Sequence, residues 1–244
     1  MAQQDTGETT GANTGERAGG NGVDQAADRL LDAVLPHVAF DGWSEVSFRA
    51  GIADSGVAAG LARALFPRGG VDLALAYHRR GDALMRAALA ARDLSALRYR
   101  EKVTLAVRTR LEVISDSEAV RRASALFALP QHGVDGAKAV WGTADAIWLA
   151  LGDASTDINW YTKRATLSAV YAATALYWLG DDSEDHAATW AFLDRRIENV
   201  MAIEKLKAGM RDNPLWKAMA EGPMKAFGRV RMPQRPDDLP GRGW

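Results

Sequence analysis

The chain has 244 residues, 48% hydrophobic and 25% charged, enough to bury a full core as one large domain or two small ones. Its formal net charge is -1, so no global attraction draws it to nucleic acid or anionic lipid. The absence of cysteine excludes disulfides, thiolate metal sites and cysteine nucleophiles. No apolar run is long enough to span a bilayer, and no secretory signal is expected.

Residues 1–23 are rich in Gly, Thr, Gln and Asn, and they hold no large apolar side chain before Val23. Such a stretch cannot bury enough surface to offset chain entropy, so it reads as a disordered tail. From Asp24 the pattern changes: Leu30, Leu31, Val34, Leu35 and Val38 recur at helical spacing. The same rhythm predicts helices near 24–38, 44–54, 57–66, 70–92, 95–114, 117–127, 134–151, 157–180, 184–208 and 214–230. Gly42, Ser55-Gly56, Pro67 to Gly70, Pro130, Gly152-Asp153 and Gly180-Asp181 punctuate them. The expectation is an all-α fold of about ten helices, with one domain over 24–208 and a separate segment over 209–244.

The second and third predicted helices, joined by Ser55-Gly56-Val57, have the layout of a helix-turn-helix. DNA affinity rests on phosphate neutralisation. Residues 40–66 carry Arg49 and Arg63 against Asp41, Glu45 and Asp54, a net charge of -1, and Ala58, Ala59 and Ala62 stand where base-reading side chains are needed. The motif is expected to be vestigial, retained for packing, with no binding to DNA.

Seven of the eight tryptophans follow residue 140, so the unusual chemistry is concentrated there. Trp141, Asp145 and Trp148 share a helix face on which an aspartate is awkward in a core. Over 157–180, Ile158, Trp160, Tyr161, Leu167, Val170, Tyr171, Leu176, Tyr177 and Trp178 leave almost no polar face, so this helix is buried all round or lines an apolar cavity. Lys163 and Arg164 nonetheless occupy its first turns, where the helix dipole disfavours cations, so another group must hold them. Arg164 stands four residues after Trp160, within reach of its ring. Local packing and a partner-facing patch both account for this cluster.

The acidic loop 181–190 reads as a cap for the following helix, not as a metal site. No glutamate is followed by histidine three residues later, and no nucleophile elbow, P-loop or dinucleotide fingerprint is present. The residues give no catalytic constellation, so the chain is expected not to be an enzyme and to need no cofactor or metal. From Lys205 to Trp244, nine Lys or Arg face four acids, with Leu215, Trp216, Met219 and Phe227 as apolar anchors, the pattern of an interfacial helix on an anionic membrane.

The segments HVAFDGWSEVSFRAGIADSG, ARALFPRGGVDLALAYHRRGD, STDINWYTKRATLSAVYAAT and TWAFLDRRIENVM resemble the coenzyme Q biosynthesis protein nine family, over about residues 24–207. That resemblance implies a TetR-like all-α fold without DNA reading, a homodimer, and an apolar cavity for an isoprenoid quinone or other lipid. It implies a protein that presents the lipid to the di-iron demethoxyubiquinone hydroxylase of ubiquinone synthesis. Its partner-facing patch falls on Asp145, Ile147, Trp148, Asp157, Trp160, Tyr161 and Arg164. Leu167, Tyr171 and Trp178 are then expected to face lipid. The chain is further expected to be of bacterial type, without a transit peptide, cytoplasmic and peripherally attached to the inner membrane. The alternative reading is a ligand-responsive TetR-type transcriptional regulator.

Overall fold

The computed structural model describes residues 13–114, 116–156 and 158–211, with side chains from 22 to 202, and among them every regular element is a helix. The α-helices are α1 (Asn13–Asp41), α2 (Glu45–Ser55), α3 (Ala59–Leu65), α4 (Gly70–Ala90), α5 (Tyr99–Glu112), α6 (Ser117–Phe127), α7 (Gly133–Ala150), α8 (Ile158–Trp178) and α9 (Ala187–Arg211), with a short 3-10 helix at Glu184–His186 before α9. The helix expected over 214–230 lies outside the described residues.

Most boundaries fall where capping chemistry puts them. Ser44 accepts from the backbone N–H of Ser47 (3.2 Å) to start α2, and Gly56 ends it in the left-handed region at φ 66°. Asp116 caps α6 through the Ala119 N–H at 2.9 Å. Three helix starts differ clearly from expectation. α1 begins at Asn13, inside the stretch expected to be a tail. α5 begins four residues late, at Tyr99, because the Glu101 carboxylate takes the backbone N–H of Arg98 at 2.8 Å and fixes the first turn there. α9 begins at Ala187 because Asp185 and His186 adopt positive φ (51° and 55°). The loop is held by Asp181, which accepts from Ser183 N–H (2.9 Å) and Thr189 N–H (2.8 Å), the capping role expected of it.

The chain divides into two compact units, one formed by residues up to His78 with Asp116–Gly133, the other by Arg79–Ser115 with residues from Val134 onward. In the first, Leu30, Val34 and Val38 of α1 are completely buried with Phe48 of α2 and Ala62 of α3. Gly51 allows α2 to lie against α1: a methyl group there would overlap Val34, whose Cα would be 3.1 Å away. Trp43 donates its indole N–H to the Ala119 carbonyl at 2.9 Å, tying the α1–α2 corner to α6.

In the second unit the buried Arg110 of α5 donates to Asp82 of α4 at 2.6 Å, and Thr143 of α7 donates to the same carboxylate oxygen at 2.8 Å. Tyr171 of α8 lies under the guanidinium, 5.7 Å from ring centroid to Cζ. This polar knot joins four helices inside an otherwise apolar core. α8 itself is not buried all round: Leu176 and Tyr177 are 64% and 41% exposed, with Tyr177 stacked on Phe192 of α9 at 4.6 Å. Among the described residues no helix is long and apolar enough to cross a membrane.

Candidate functional site

The connection from α7 to α8 is shaped by Gly152, which takes φ 76° and lets the Asp153 N–H return to the Trp148 carbonyl at 2.9 Å. This six-to-one bond is a Schellman ending, and it sets the Asp153 side chain at the start of α8. There Asp153 accepts from Lys163 (2.7 Å), Ser155 (2.8 Å) and Arg164 (3.1 Å). Burial pushes its carboxyl up, but those hydrogen bonds outweigh burial and hold its pKa down at about 2. Arg164, 1% exposed, also donates to Asp145 of α7 at 2.6 Å and lies on the Trp160 ring, 4.1 Å from its centroid. Two carboxylates and an indole face therefore hold the cations that the dipole disfavours.

This geometry places the residues expected to form a partner patch. Ile147 is fully buried, Trp148 and Trp160 are 6% and 8% exposed, and Arg164 is a core residue, while Asp145 and Tyr161 are half-buried. Trp160 packs between Trp141 (5.9 Å) and Tyr161 (4.8 Å). Asp157 lies outside the described residues. At this cluster the packing is local, with Tyr161 and Asp145 at its edge.

Beside the cluster is a cavity of about 210 Å³. Its apolar wall is built by Val103 of α5, Leu167 and Val170 of α8, and Ile197, Val200 and Met201 of α9. Tyr99, Arg100, Asn159, Thr162, Lys163 and Thr166 make its polar part, and the Trp148 ring completes it. Tyr99 stacks on Trp148 with centroids 5.6 Å apart, and Arg100 bridges to Glu198 of α9 at 2.9 Å. Partial burial pushes the phenol of the half-exposed Tyr99 above its ordinary pKa, and the positive charge of Lys163 opposes this. Trp148 Nε1 is buried and makes no hydrogen bond with the described residues. Of the three residues expected to face lipid, Leu167 lines this cavity and Tyr171 and Trp178 do not. Tyr171 belongs to the Arg110 knot, and Trp178 packs on His186 at 5.6 Å.

Sequence reasoning passed over Tyr99, Lys163 as a lining group, and the α9 wall. The α9 signal was available, since Leu193, Ile197, Val200 and Met201 follow i, i+4, i+7, i+8 spacing. Leu215, Trp216, Met219 and Phe227, expected at a membrane, lie outside the described residues. Among the described residues no three His, Asp or Glu are grouped to hold a metal ion.

Comparison with known proteins matches residues 134–204 to the family model described as COQ9. The ubiquinone biosynthesis protein COQ9, mitochondrial, of Drosophila melanogaster is 31% identical over 189 residues, 75% of this chain and 58% of that protein. The Homo sapiens protein of the same name is 32% identical over 186 residues, 73% of this chain and 58% of its own. The probable ubiquinone biosynthesis protein coq9, mitochondrial, of Dictyostelium discoideum is 38% identical over 119 residues, 47% of this chain and 38% of its own. The chain thus spans less than two thirds of the length of these curated relatives. A crystal structure of a TetR transcriptional regulator from Nitrosomonas europaea ATCC 19718 superposes with a TM-score of 0.58 at 20% identity, covering 70% of this chain and 95% of that one. The TetR-like fold is shown by this likeness. The relatives' names place them in mitochondria, which overturns the expectation of a cytoplasmic chain of bacterial type.

Proposed function

The chain belongs to the COQ9 family, and we propose that it acts in ubiquinone biosynthesis as a non-catalytic accessory protein that holds an isoprenoid quinone precursor and presents it to the di-iron hydroxylase. The observation that carries this reading is the coincidence of the family match with the cavity: residues 134–204 comprise α7, α8 and most of α9, the helices that supply most of the cavity wall. An apolar recess with a few polar groups at one side suits a lipid with a polar head.

The hydroxylase is proposed to dock over Tyr161 and Asp145, the half-buried edge of the α7–α8 cluster, with the exposed Leu149 and Ile158 beside them. Arg164 and Trp160 brace that edge from below. A homodimer and a membrane contact through the basic 209–244 segment complete the proposal; Leu176 and Tyr177 offer apolar surface of the kind that copies bury. A ligand-responsive regulator is not favoured, because Arg63 and Arg49, the basic side chains of the helix-turn-helix, are both paired to Glu45, at 2.5 and 3.1 Å.

Solvent extraction and mass spectrometry of the purified protein test the reading. An isoprenoid quinone or its precursor in near-stoichiometric amount is expected. Protein that copurifies with no lipid and takes none up from vesicles would refute it.

A further inference from the structure

Two arginines of α5 reach across to α9. Arg108 lies over the Trp190 ring, 4.7 Å from its centroid, and Arg100 pairs with Glu198 at 2.9 Å. The two ties are eight residues apart on each helix, in opposite senses, so the helices run antiparallel and the ties stand roughly 12 Å apart.

The seam between these helices loosens from one tie to the other. On one face of α9, Thr189 and Leu193 are completely buried and Ile197 nearly so, but Met201, the next in that spacing, is 39% exposed. The buried end is also anchored: Thr189 donates its N–H and its hydroxyl to Asp181, and the Trp190 indole donates to the Asp185 carbonyl at 2.8 Å. The cavity lies under the loose end, walled by Ile197, Val200 and Met201 and not by Leu193. Its floor is the buried Val103, Leu167 and Val170. Its lining reaches solvent at Tyr99, Asn159, Thr162 and Met201, so the mouth opens between the starts of α5 and α8 and the far part of α9. Arg100 is next to Tyr99, and Glu198 is one turn before Met201. Their ion pair therefore crosses the seam at the mouth.

We infer that this pair is a latch: while it is closed, α9 beyond Leu193 shuts the cavity, and when it opens, that length of α9 moves off α5 and the occupant exchanges. The inference rests on the proposed lipid-holding role, and it concerns how fast the cavity fills and empties, not what fills it. Both side chains reach solvent, so the pair is weak and screened by salt. A weak tie suits a closure that has to open. Because it spans the seam over an empty or a filled cavity alike, the latch sets rates and leaves affinity unchanged.

The test uses the full chain and N-phenyl-1-naphthylamine, a neutral apolar fluorophore, followed by energy transfer from tryptophan during stopped-flow displacement into excess cyclodextrin. Glu198 does not line the cavity. Glu198→Gln should therefore speed uptake and release about twofold to fivefold with an unchanged Kd. Arg100→Gln should speed release likewise, and the double variant should be no faster than either alone. High salt should accelerate release from the unsubstituted protein and not from the variants. Amide hydrogen exchange, which needs no probe, should rise over 197–202 in Glu198→Gln protein and stay level over 189–193. Unchanged release and exchange in folded Glu198→Gln protein, or variants that answer salt as the unsubstituted protein does, overturns the latch while leaving lipid binding intact. If the probe does not bind and no lipid copurifies, the proposed function falls and the latch with it.

Discussion

Arg164 sits in the first turns of α8, where a cation is disfavoured by about 0.3–1 kcal/mol for a surface site, and it is nevertheless 1% exposed. Asp145 and Asp153 explain it, at 2.6 and 3.1 Å. The anomaly of a cation at this helix start was legible in the sequence, as was its seat on Trp160. Its carboxylate partners were not, because Asp153 reaches it only through the left-handed turn at Gly152. Arg164→Glu would place a third carboxylate between two others in a buried site, and it is expected to destabilise the protein by about 3–5 kcal/mol. A fall in the urea midpoint without change of slope measures this, and an unchanged midpoint would contradict the burial. At Gly51 the helix propensity of alanine, about 1 kcal/mol better than glycine, works against overlap with Val34. Overpacking costs about 1–3 kcal/mol, so Gly51→Ala is expected to lower the melting temperature despite the better helix former.

The connection between α7 and α8 gives the protein a pH dependence of known sign. Asp153 is held at a pKa of about 2 with its carboxylate 4% exposed, against about 3.9 in an unfolded chain. A folded pKa below the unfolded one means stability that is fully present above pH 4 and is lost as pH falls through 2. The contribution is about 2 kcal/mol, most of it disappearing between pH 4 and pH 2. Asp153→Asn should flatten the stability curve over that interval, as read from urea unfolding at successive pH values. Element types were legible nearly throughout, because helical periodicity and Gly or Pro breaks coincide along the chain. The misread ends, at Tyr99 and Ala187, depend on a glutamate side chain and on two residues with positive φ, which periodicity does not encode. Of the two readings of α8, burial all round fails at the exposed Leu176 and Tyr177, while Leu167 and Val170 do line a cavity.

For the whole molecule, the fold class was readable from pattern and the position of the cavity was not. A cavity assembled from α5, α7, α8 and α9 depends on non-local packing, so Leu167 was found by its spacing while Tyr99 and Ile197, far from it in sequence, were not. The helix-turn-helix makes a prediction at this scale, since its two arginines are paired to one glutamate. No duplex DNA binding with a steep salt dependence is expected in mobility-shift titrations. The central claim is that lipid occupies the cavity of the second unit, and filling that cavity tests it most directly. Val170 lines it and is 7% exposed. Val170→Trp should leave helicity and melting near those of the unsubstituted protein and reduce copurified isoprenoid lipid, measured by mass spectrometry, to a small fraction. Full lipid content in a folded Val170→Trp protein would show that the lipid is held elsewhere.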